Sequence, residues 1–416
     1  MSRRYLIVFA AITSLVVLAL GSFNWFMNPH GLFRSPVIDG LNVMKPKMGF
    51  YERQLKAYQA SRLKPGALVL GNSRSDVGLD PMHPGWSAEP AYNLGLGQAS
   101  AYTVYRYFLH ADSFRQLEQV VIGIDFEMFR PGILEDPADQ NLALAVDGNG
   151  KRNPNFFGLL LFQALTSADA FLNAVEVFQT NLKARGTVEA DNYVPAIGVN
   201  GMMRPDSFGL SSYKTRHGMF LASLGAFVNI WWAPLEEYRG FLRADTEPGA
   251  IYFRKFLAAA YERGVDLRMV ISPTHAYLNE ALAAAGLWGA MERWKRMVVR
   301  INEEEAARAN SEPFPVWDFS GYNRITTEMV PKTRNQPNDM SGYWDISHFR
   351  KGVGDQMLDR VFAVSEESRA GFGVLLTGVN LEDHLASIRR KRVSYREANP
   401  ELVTEIEARM QGLLTE

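Results

Sequence analysis

The chain contains, at residues 67–74, the sequence Ala-Leu-Val-Leu-Gly-Asn-Ser-Arg. An uninterrupted apolar run that ends at a glycine is typical of a β-strand buried on both faces. Runs of the same kind occupy residues 91–96, 120–124, 266–271 and 315–319. Helical patterns lie between them, at residues 101–110, 249–263 and 287–310. Strands that alternate with helices predict an α/β fold with a parallel sheet covered by helices.

The turn after the first strand places Ser73 where α/β proteins hold their active sites. Strand-to-helix turns of a parallel sheet lie along one edge, and ligands bind there. A serine at such a turn can present its hydroxyl beside backbone N–H groups that would bind an oxyanion. The sequence Gly71-Asn72-Ser73 also suits an ordinary turn or a helix N-cap, so this segment alone does not decide between the two.

The N-terminal segment predicts a membrane anchor. Arg3 and Arg4 precede residues 5–27, which carry no charge. As a helix this stretch would be roughly 35 Å long, enough for a bilayer core of about 30 Å. The two arginines favour a cytoplasmic N-terminus with the remaining chain outside. A cleaved signal peptide ending near Gly21 is the alternative, and we prefer the uncleaved anchor because the apolar run continues beyond that site.

The remaining chain divides by composition into several parts. An irregular stalk and leading helix at residues 28–64 come before the α/β domain at residues 65–365. An insertion at residues 130–249, rich in Phe, Leu, Asn and Gly, interrupts that domain. We expect one long helix at residues 156–183 and a lid or substrate platform over the active edge. A C-terminal helical extension, residues 366–416, begins with a short strand-like run at residues 372–376.

Composition excludes several kinds of chemistry. The formal net charge is −1, so there is no basic field for nucleic acid. The chain has no cysteine, which rules out disulfides and thiolate ligands. Its seven histidines lack ligand spacing, so we expect no metal site. Neither a phosphate-binding P-loop nor a dinucleotide-binding glycine motif is present, and we expect no cofactor.

A general base for Ser73 is offered late in the chain by Asp345-Ile346-Ser347-His348. An aspartate three residues before a histidine can accept a hydrogen bond from one ring nitrogen while the other faces a serine. Such a carboxylate fixes the tautomer and stabilises the imidazolium. A chance Asp-x-x-His at the start of a helix is the alternative.

Together, the early Gly-Asn-Ser and the late Asp-x-x-His resemble the first and last sequence blocks of SGNH (GDSL-type) hydrolases. The resemblance implies a flavodoxin-like three-layer α/β/α sandwich with Ser73, His348 and Asp345 as the catalytic triad. The second block of that family contributes a glycine N–H to the oxyanion hole, and Gly95 in Asn93-Leu94-Gly95 is the best match.

The third block departs from the family pattern. It is normally Gly-x-Asn-Asp, whereas this chain has Gly123-Ile124-Asp125-Phe126, with Asp125 in place of the oxyanion asparagine. An ionised carboxylate beside an oxyanion would repel it. Either Asp125 points elsewhere, another donor substitutes, or activity is altered. The candidate donors are the N–H groups of Ser73 and Gly95 and the side chains of Asn72 and Arg74.

Some further positions are candidates for substrate contact. His275 follows the strand predicted at residues 266–271 and would lie at the same edge, although a structural role beside a turn is equally compatible. Tyr213, Lys214, Arg216 and His217 form a polar cluster within the insertion that could bind a sugar, or simply be a solvated loop. Trp344 beside Asp345 could stack on a sugar ring or pack in the core.

The N-terminal span brings the resemblance closer to membrane-anchored, cell-envelope SGNH-like proteins, such as the alginate acetylation proteins and the protein that helps attach D-alanine to teichoic acids. This resemblance implies an esterase or O-acyltransferase that acts on acyl (acetyl) esters of an envelope polysaccharide. It implies the bacterial inner (cytoplasmic) membrane, with the globular domain in the periplasm, and a multi-pass membrane acyltransferase as a candidate partner. The alternative is a catalytically silent SGNH-like binding or scaffold protein.

Overall fold

The computed structural model describes residues 3–130, 144–204, 215–232, 234–240, 247–332, 340–365 and 372–415. The chain forms two compact units. One comprises Met1–Leu63 and Asn141–Val199, and the other comprises Lys64–Gln140 and Asn200–Glu416. The larger, second unit contains the sheet and all residues of the predicted triad, and is described first.

The sheet unit is a mixed α/β structure built on six strands in the order β2-β1-β3-β4-β5-β6. The strands are β1 Ala67–Leu70, β2 Ala91–Asn93, β3 Gln119–Gly123, β4 Asp266–Ile271, β5 Val316–Asp318 and β6 Val374–Leu376. Each predicted run therefore contains a strand. The first five strands are parallel, and β6 adds to β5 in the antiparallel direction, so residues 315–319 are not the last strand of the sheet.

The helices of this unit include the three predicted at residues 101–110, 249–263 and 287–310. They are α3 Ser73–Gly78, α4 Ala101–Asp112, α7 Arg216–Ala226, α8 Leu235–Gly240, α9 Pro248–Arg263, α10 Ala276–Ala284, α11 Trp288–Arg308, α12 Lys351–Phe362, α13 Leu381–Ala398 and α14 Pro400–Thr415. Helix α9 packs against both α4 and α11, and α3 packs against α12. The contact between α3 and α12 matters most for the site, because it joins the beginning of the domain to its end.

Ion pairs with two buried glutamates attach helix α13 to the rest of the sheet unit. Glu280, which is almost fully buried, accepts hydrogen bonds from Arg392 and Arg396. Arg389 forms two hydrogen bonds, both of 2.7 Å, with Glu292. The basic face of α13 is therefore partly turned inward, where paired guanidinium and carboxylate groups satisfy each other.

The other unit, which we call the anchor unit because it contains the predicted membrane anchor, comprises Met1–Leu63 and Asn141–Val199. Its helices are α1 Arg3–Met27, α2 Glu52–Leu63, α5 Phe156–Thr166 and α6 Ala168–Lys183. Among the described residues, α1 is the one single helix long and apolar enough to cross a membrane. The long helix predicted at residues 156–183 is wrong, because the segment is two helices bent by 54°. Ser167 causes the break by capping α6, with its hydroxyl accepting a hydrogen bond from the N–H of Ala170 at 3.1 Å.

Two glycines allow α3 and α12 to touch backbone to backbone. A Cβ atom added at Gly354 would lie 1.7 Å from the carbonyl oxygen of Gly78, and one added at Gly78 would lie 2.1 Å from the ring of Phe349. Neither contact can be relieved by rotating a flexible side chain end. The crossing therefore requires glycine at both positions.

We expect Gly354→Ala to destabilise the protein by about 2 kcal/mol or more, since the added methyl forces α3 and α12 apart. Gly352→Ala in the same helix is the matched control, because a Cβ there meets nothing within 4 Å. It should be neutral or stabilising by up to about 1 kcal/mol, as glycine is a poor helix former. Chemical denaturation of both variants checks this, and equal stabilities would contradict the packing described.

Candidate active site

Ser73 lies in the turn that follows β1. The strands β2 and β3 pair with opposite sides of β1, and at such a reversal of strand order a crevice opens at the sheet edge. Gly71 has φ +134°, and a Cβ there would lie 2.3 Å from Ser75 Oγ and 2.8 Å from the carbonyl oxygen of Gly123. Asn72 is the N-cap of α3, and its Oδ1 accepts a hydrogen bond from the N–H of Arg74 at 2.9 Å. Ser73 is thus the first residue of the helix, at the crevice.

A short loop before α12 supplies the other two members of the predicted triad. Asp345 Oδ1 accepts hydrogen bonds from the N–H groups of Ser347 and His348, each at 2.7 Å. The N–H of Trp344 donates to the carbonyl oxygen of His348 at 2.8 Å and closes the loop. This pattern explains the Asp-x-x-His spacing, because an aspartate that bonds to the backbone two and three residues ahead folds the chain back on itself.

The structure brings Ser73, His348 and Asp345 together in hydrogen-bonding order. His348 Nε2 lies 2.8 Å from Ser73 Oγ, and His348 Nδ1 lies 2.7 Å from Asp345 Oδ2. An ionised carboxylate only accepts hydrogen bonds, so Nδ1 carries the proton and the lone pair of Nε2 faces the serine hydroxyl. This is the tautomer that a general base needs.

Asp345 remains ionised despite its burial. Burial alone would raise its pKa, but the neighbouring His348 and the hydrogen bonds from His348 and the two backbone N–H groups outweigh that effect and lower the pKa to about 2. Asp345 therefore carries its negative charge at any pH at which His348 can act as a base.

Two hydrogen-bond donors beside Ser73 have no partner in the described part of the chain. They are the backbone N–H of Ser73 and the side-chain NH2 group of Asn72, whose Oδ1 is already used by the helix cap. Both residues line the same cavity as His348. An oxyanion hole is a set of donors held in place before the reaction begins, so this geometry is compatible with the donor role predicted for Ser73 and Asn72.

Gly95 does not line this cavity, and its N–H already donates to Asn93 Oδ1 at 2.9 Å. The oxyanion role predicted for Gly95 therefore has no support in this geometry. Its lack of a side chain serves packing instead, because a Cβ would lie 2.8 Å from the backbone nitrogen of Asp76.

Asn93 is a positioning residue that the sequence analysis did not identify. It is fully buried, and its Nδ2 donates to the carbonyl oxygens of Ser75 and Leu79 at 2.9 and 2.8 Å. It thereby ties the last turn of α3 to the end of β2. A polar residue that ends a buried strand is the signal that could have identified it.

Asp125 points away from the cavity, and its charge is compensated. Arg74 Nη1 lies 3.3 Å from Asp125 Oδ1 and 2.9 Å from Glu127 Oε2. Burial would lower the pKa of Arg74, but these two carboxylates raise it, so the guanidinium stays charged. Asp125 Oδ1 also accepts a hydrogen bond from the N–H of Ser272. Nη1 of Arg74 is therefore engaged by acidic partners, while the residue lines the cavity, so the oxyanion role considered for Arg74 stays a prediction.

The triad opens into a cavity of about 250 Å³. Its sides combine polar residues near the triad with a largely apolar opposite wall from α7, the π-helical turn Phe227–Trp231 and α9. The lining residues are Asn72, Ser73, Arg74, Gln98, Ala99, Ser100, Ala101, Tyr102, Glu127, Met128, Arg130, Ser223, Ala226, Phe227, Trp231, Pro248, Gly249, Tyr252, Asp345, Ser347 and His348. Part of the predicted insertion thus forms one wall of the site.

His275 has a structural position and does not line the cavity. Its Nδ1 accepts a hydrogen bond from the N–H of Tyr277 and caps α10, while its Nε2 donates to the carbonyl oxygen of Glu328 at 2.8 Å. Burial lowers its pKa to about 4, so the ring is neutral. The substrate contact considered for His275 is not supported, because both ring nitrogens are engaged.

The other sugar-binding candidates are either in contact with other residues or outside the described part of the chain. Tyr213 and Lys214 lie outside the described residues. Arg216 donates to the carbonyl oxygen of Trp344 at 2.9 Å. The guanidinium of Arg350 lies 3.8 Å from the centre of the Trp344 ring and covers one face of it. That face is therefore closed to a sugar in this conformation.

No protein-family model matches the chain, and no curated protein matches it at a significant level. Within the described residues there is also no group of three acidic or histidine side chains that could hold a metal ion. A functional assignment therefore depends on the geometry of the chain's own residues.

Proposed function

We propose that this chain is a serine esterase or O-acyltransferase of the SGNH type, acting on acyl esters. The observation that carries the proposal is the continuous hydrogen-bonded series from Asp345 through His348 to Ser73, with both distances between 2.7 and 2.8 Å. Nucleophile, base and orienting carboxylate each occupy the place that acyl transfer requires.

In the proposed reaction, Ser73 Oγ attacks the carbonyl carbon of an ester while His348 Nε2 takes the hydroxyl proton. The negative charge that develops on the carbonyl oxygen would be held by the N–H of Ser73 and the NH2 group of Asn72. His348 then gives its proton to the departing alcohol, leaving an acyl-enzyme. Water or a sugar hydroxyl, deprotonated in turn by His348, releases the acyl group. Release to water makes an esterase, and release to a hydroxyl makes a transferase.

The order of the strands supports the resemblance to SGNH hydrolases. Strands β1 to β5 run parallel in the order 2-1-3-4-5, which is that of flavodoxin-like sandwiches. We therefore extend the fold assignment to a flavodoxin-like α/β/α domain with an added antiparallel edge strand. Two blocks differ from the family pattern, because Gly95 does not line the cavity and Asp125 replaces an asparagine, but the pairing of Asp125 with Arg74 offsets the expected repulsion.

The size of the cavity and the anchor favour a small acyl group and an envelope substrate. A cavity of about 250 Å³ lies below the usual range for sites that enclose a drug-sized ligand. An acetyl ester fits such a space, with the rest of a polysaccharide outside it. Helix α1 would hold the domain at the bacterial inner membrane, facing the periplasm, where a multi-pass acyltransferase is a suitable partner for the transferase form of the reaction.

Turnover of p-nitrophenyl acetate by the full chain in detergent micelles tests the proposal. Covalent labelling by a fluorophosphonate, which modifies activated serines, gives a second readout that needs no acceptor. If the chain shows neither turnover nor labelling, the catalytically silent scaffold becomes the better description.

We expect Asn72→Ser to lower kcat by about 100-fold or more, the usual effect of removing one oxyanion donor. Serine keeps the cap of α3, since it is as good an N-cap as asparagine, but it has no NH2 group to offer. Stability should therefore change little while kcat falls. Comparison of kcat with the denaturation midpoint checks this, and a proportional loss of both would assign Asn72 to the cap alone.

A further inference from the structure

Helices α5 and α6 of the anchor unit expose large apolar side chains. In α5, Phe162 is 65% exposed, and burial is confined to Phe156, Leu160 and Ala164, a single narrow stripe. In α6, Leu172 is 63% exposed. Helix α5 contains no charged residue. An apolar surface of this kind is unusual on a soluble protein and indicates an apolar partner.

The two helices lie beside the outer end of α1. The rings of Phe23 and Phe171 are in contact, tilted by 56° with centres 5.8 Å apart, and Met27 packs with Ala174 and Val177. In these contacts the residue numbers of α1 and α6 increase together, so the two helices are parallel. Helix α6 therefore runs in the same direction as α1 does where α1 leaves the membrane. The start of α6, at the bend of residues 165–168, is therefore the part of α6 that lies deepest along α1.

Several polar groups at the bend form internal hydrogen bonds, although the buried Oδ1 of Asn24 has no partner in the described structure. Asn24 Nδ2 of α1 donates to the carbonyl oxygen of Leu165 at 2.9 Å. Thr166 Oγ1 donates to the carbonyl oxygen of Phe162, and Ser167 Oγ accepts the hydrogen bond that caps α6. In water these groups could bond to solvent, whereas hydrocarbon offers no partner and demands such bonds.

The geometry limits how deep the bend reaches. Gly21, the neighbour of Leu165, is six residues before Met27 and hence about 9 Å along the helix. Helix α5, at about 16 Å, is too short to cross a bilayer core of about 30 Å. Asp169 is exposed in the first turn of α6, which is compatible with a position among lipid headgroups and not with the centre of a bilayer.

We propose that the exposed apolar faces of α5 and α6 lie in the headgroup–acyl boundary of the membrane that α1 crosses. The partner is phospholipid, and the exposed side chains, Phe162 and Leu172 among them, contact its acyl chains. Amphipathic helices bind in this way with their apolar face about 5–10 Å into the boundary. The membrane anchor would then consist of the span α1 together with the adjacent helices α5 and α6.

The absence of cysteine makes the test direct, because one introduced cysteine gives one labelled site. The full chain, reconstituted in phosphatidylcholine vesicles, is labelled with an environment-sensitive fluorophore in turn at Phe162→Cys, Leu172→Cys, Leu15→Cys and Gln179→Cys. All four residues are exposed in the structure. Leu15 in α1 reports the bilayer interior, and Gln179, farther along α6, reports water. Each label is quenched by a nitroxide on the lipid chain or by aqueous iodide.

The proposal expects the labels at 162 and 172 to be quenched by lipid nitroxide several-fold more than the label at 179, and to be protected from iodide. Iodide accessibility at 162 and 172 equal to that at 179 would overturn it, while Leu15 still reported a spanning α1. Protection from both quenchers would also overturn it, because the surface would then be covered by a second copy. The outcome does not depend on the catalytic proposal.

Discussion

Ser73→Ala should abolish hydrolysis of p-nitrophenyl acetate, with kcat lower by at least about 1,000-fold. The variant lacks the hydroxyl oxygen that lies 2.8 Å from His348 Nε2. No acyl-enzyme can form, and fluorophosphonate labelling should disappear with turnover. The measurement is the initial rate of nitrophenolate release by the full chain, together with the labelled fraction.

The matched control is Ser75→Ala, two residues along the same helix. Ser75 Oγ is buried and has no hydrogen-bond partner in the described structure, so its removal should leave turnover and labelling unchanged. Turnover that survives in Ser73→Ala would identify a different nucleophile. Loss in both variants would point to a damaged helix and not to a lost nucleophile.

Asp345→Asn should lower kcat by up to about 10,000-fold, the effect of leaving a catalytic histidine in the wrong tautomer. The amide can still accept hydrogen bonds from the N–H groups of Ser347 and His348 through its oxygen. Its NH2 group would meet Nδ1 as a donor, which forces the ring proton onto Nε2, the nitrogen that must accept from Ser73. Asp355→Asn, which breaks a surface pair with Lys351, is the control and should retain activity.

The same substitution predicts a change in how stability depends on pH. The pKa of Asp345 is about 2 in the folded protein and about 3.9 in an unfolded chain. A lowered pKa contributes stability that is present above pH 4 and is lost as pH falls towards 2. The stability difference between wild type and Asp345→Asn should therefore shrink between about pH 5 and pH 2. A constant difference in denaturation experiments would contradict the ionised, hydrogen-bonded carboxylate.

The strands and the Asp-x-x-His loop were predictable because they depend on local patterns, whereas the grouping of Ser73 with that loop came from the resemblance to SGNH hydrolases. A buried strand needs a continuous apolar run, and residues 67–70 have one. The Asp-x-x-His loop is set by hydrogen bonds from Asp345 to backbone two and three residues ahead. Such features are encoded within a few residues, so a single sequence suffices to find them.

The remaining features depend on particular side-chain contacts that the hydrophobic patterns of the sequence do not reveal. The N–H of Gly95 donates a hydrogen bond to Asn93. The carboxylate of Asp125 pairs with Arg74, about 50 residues earlier. The break at Ser167 was missed because residues 156–183 are apolar enough to continue as one helix. A single serine cap and its bond to the backbone redirect the chain.

Ser73 and His348 are 275 positions apart in the sequence, so the site cannot form until His348 has been synthesised. Synthesis from the N-terminus yields the membrane helix first, then the nucleophile, and only near the end its base. A polypeptide interrupted before residue 348 carries a serine of ordinary alcohol reactivity. Under the proposed function, ester cleavage would begin only after α12 has packed against α3 and His348 has reached Ser73.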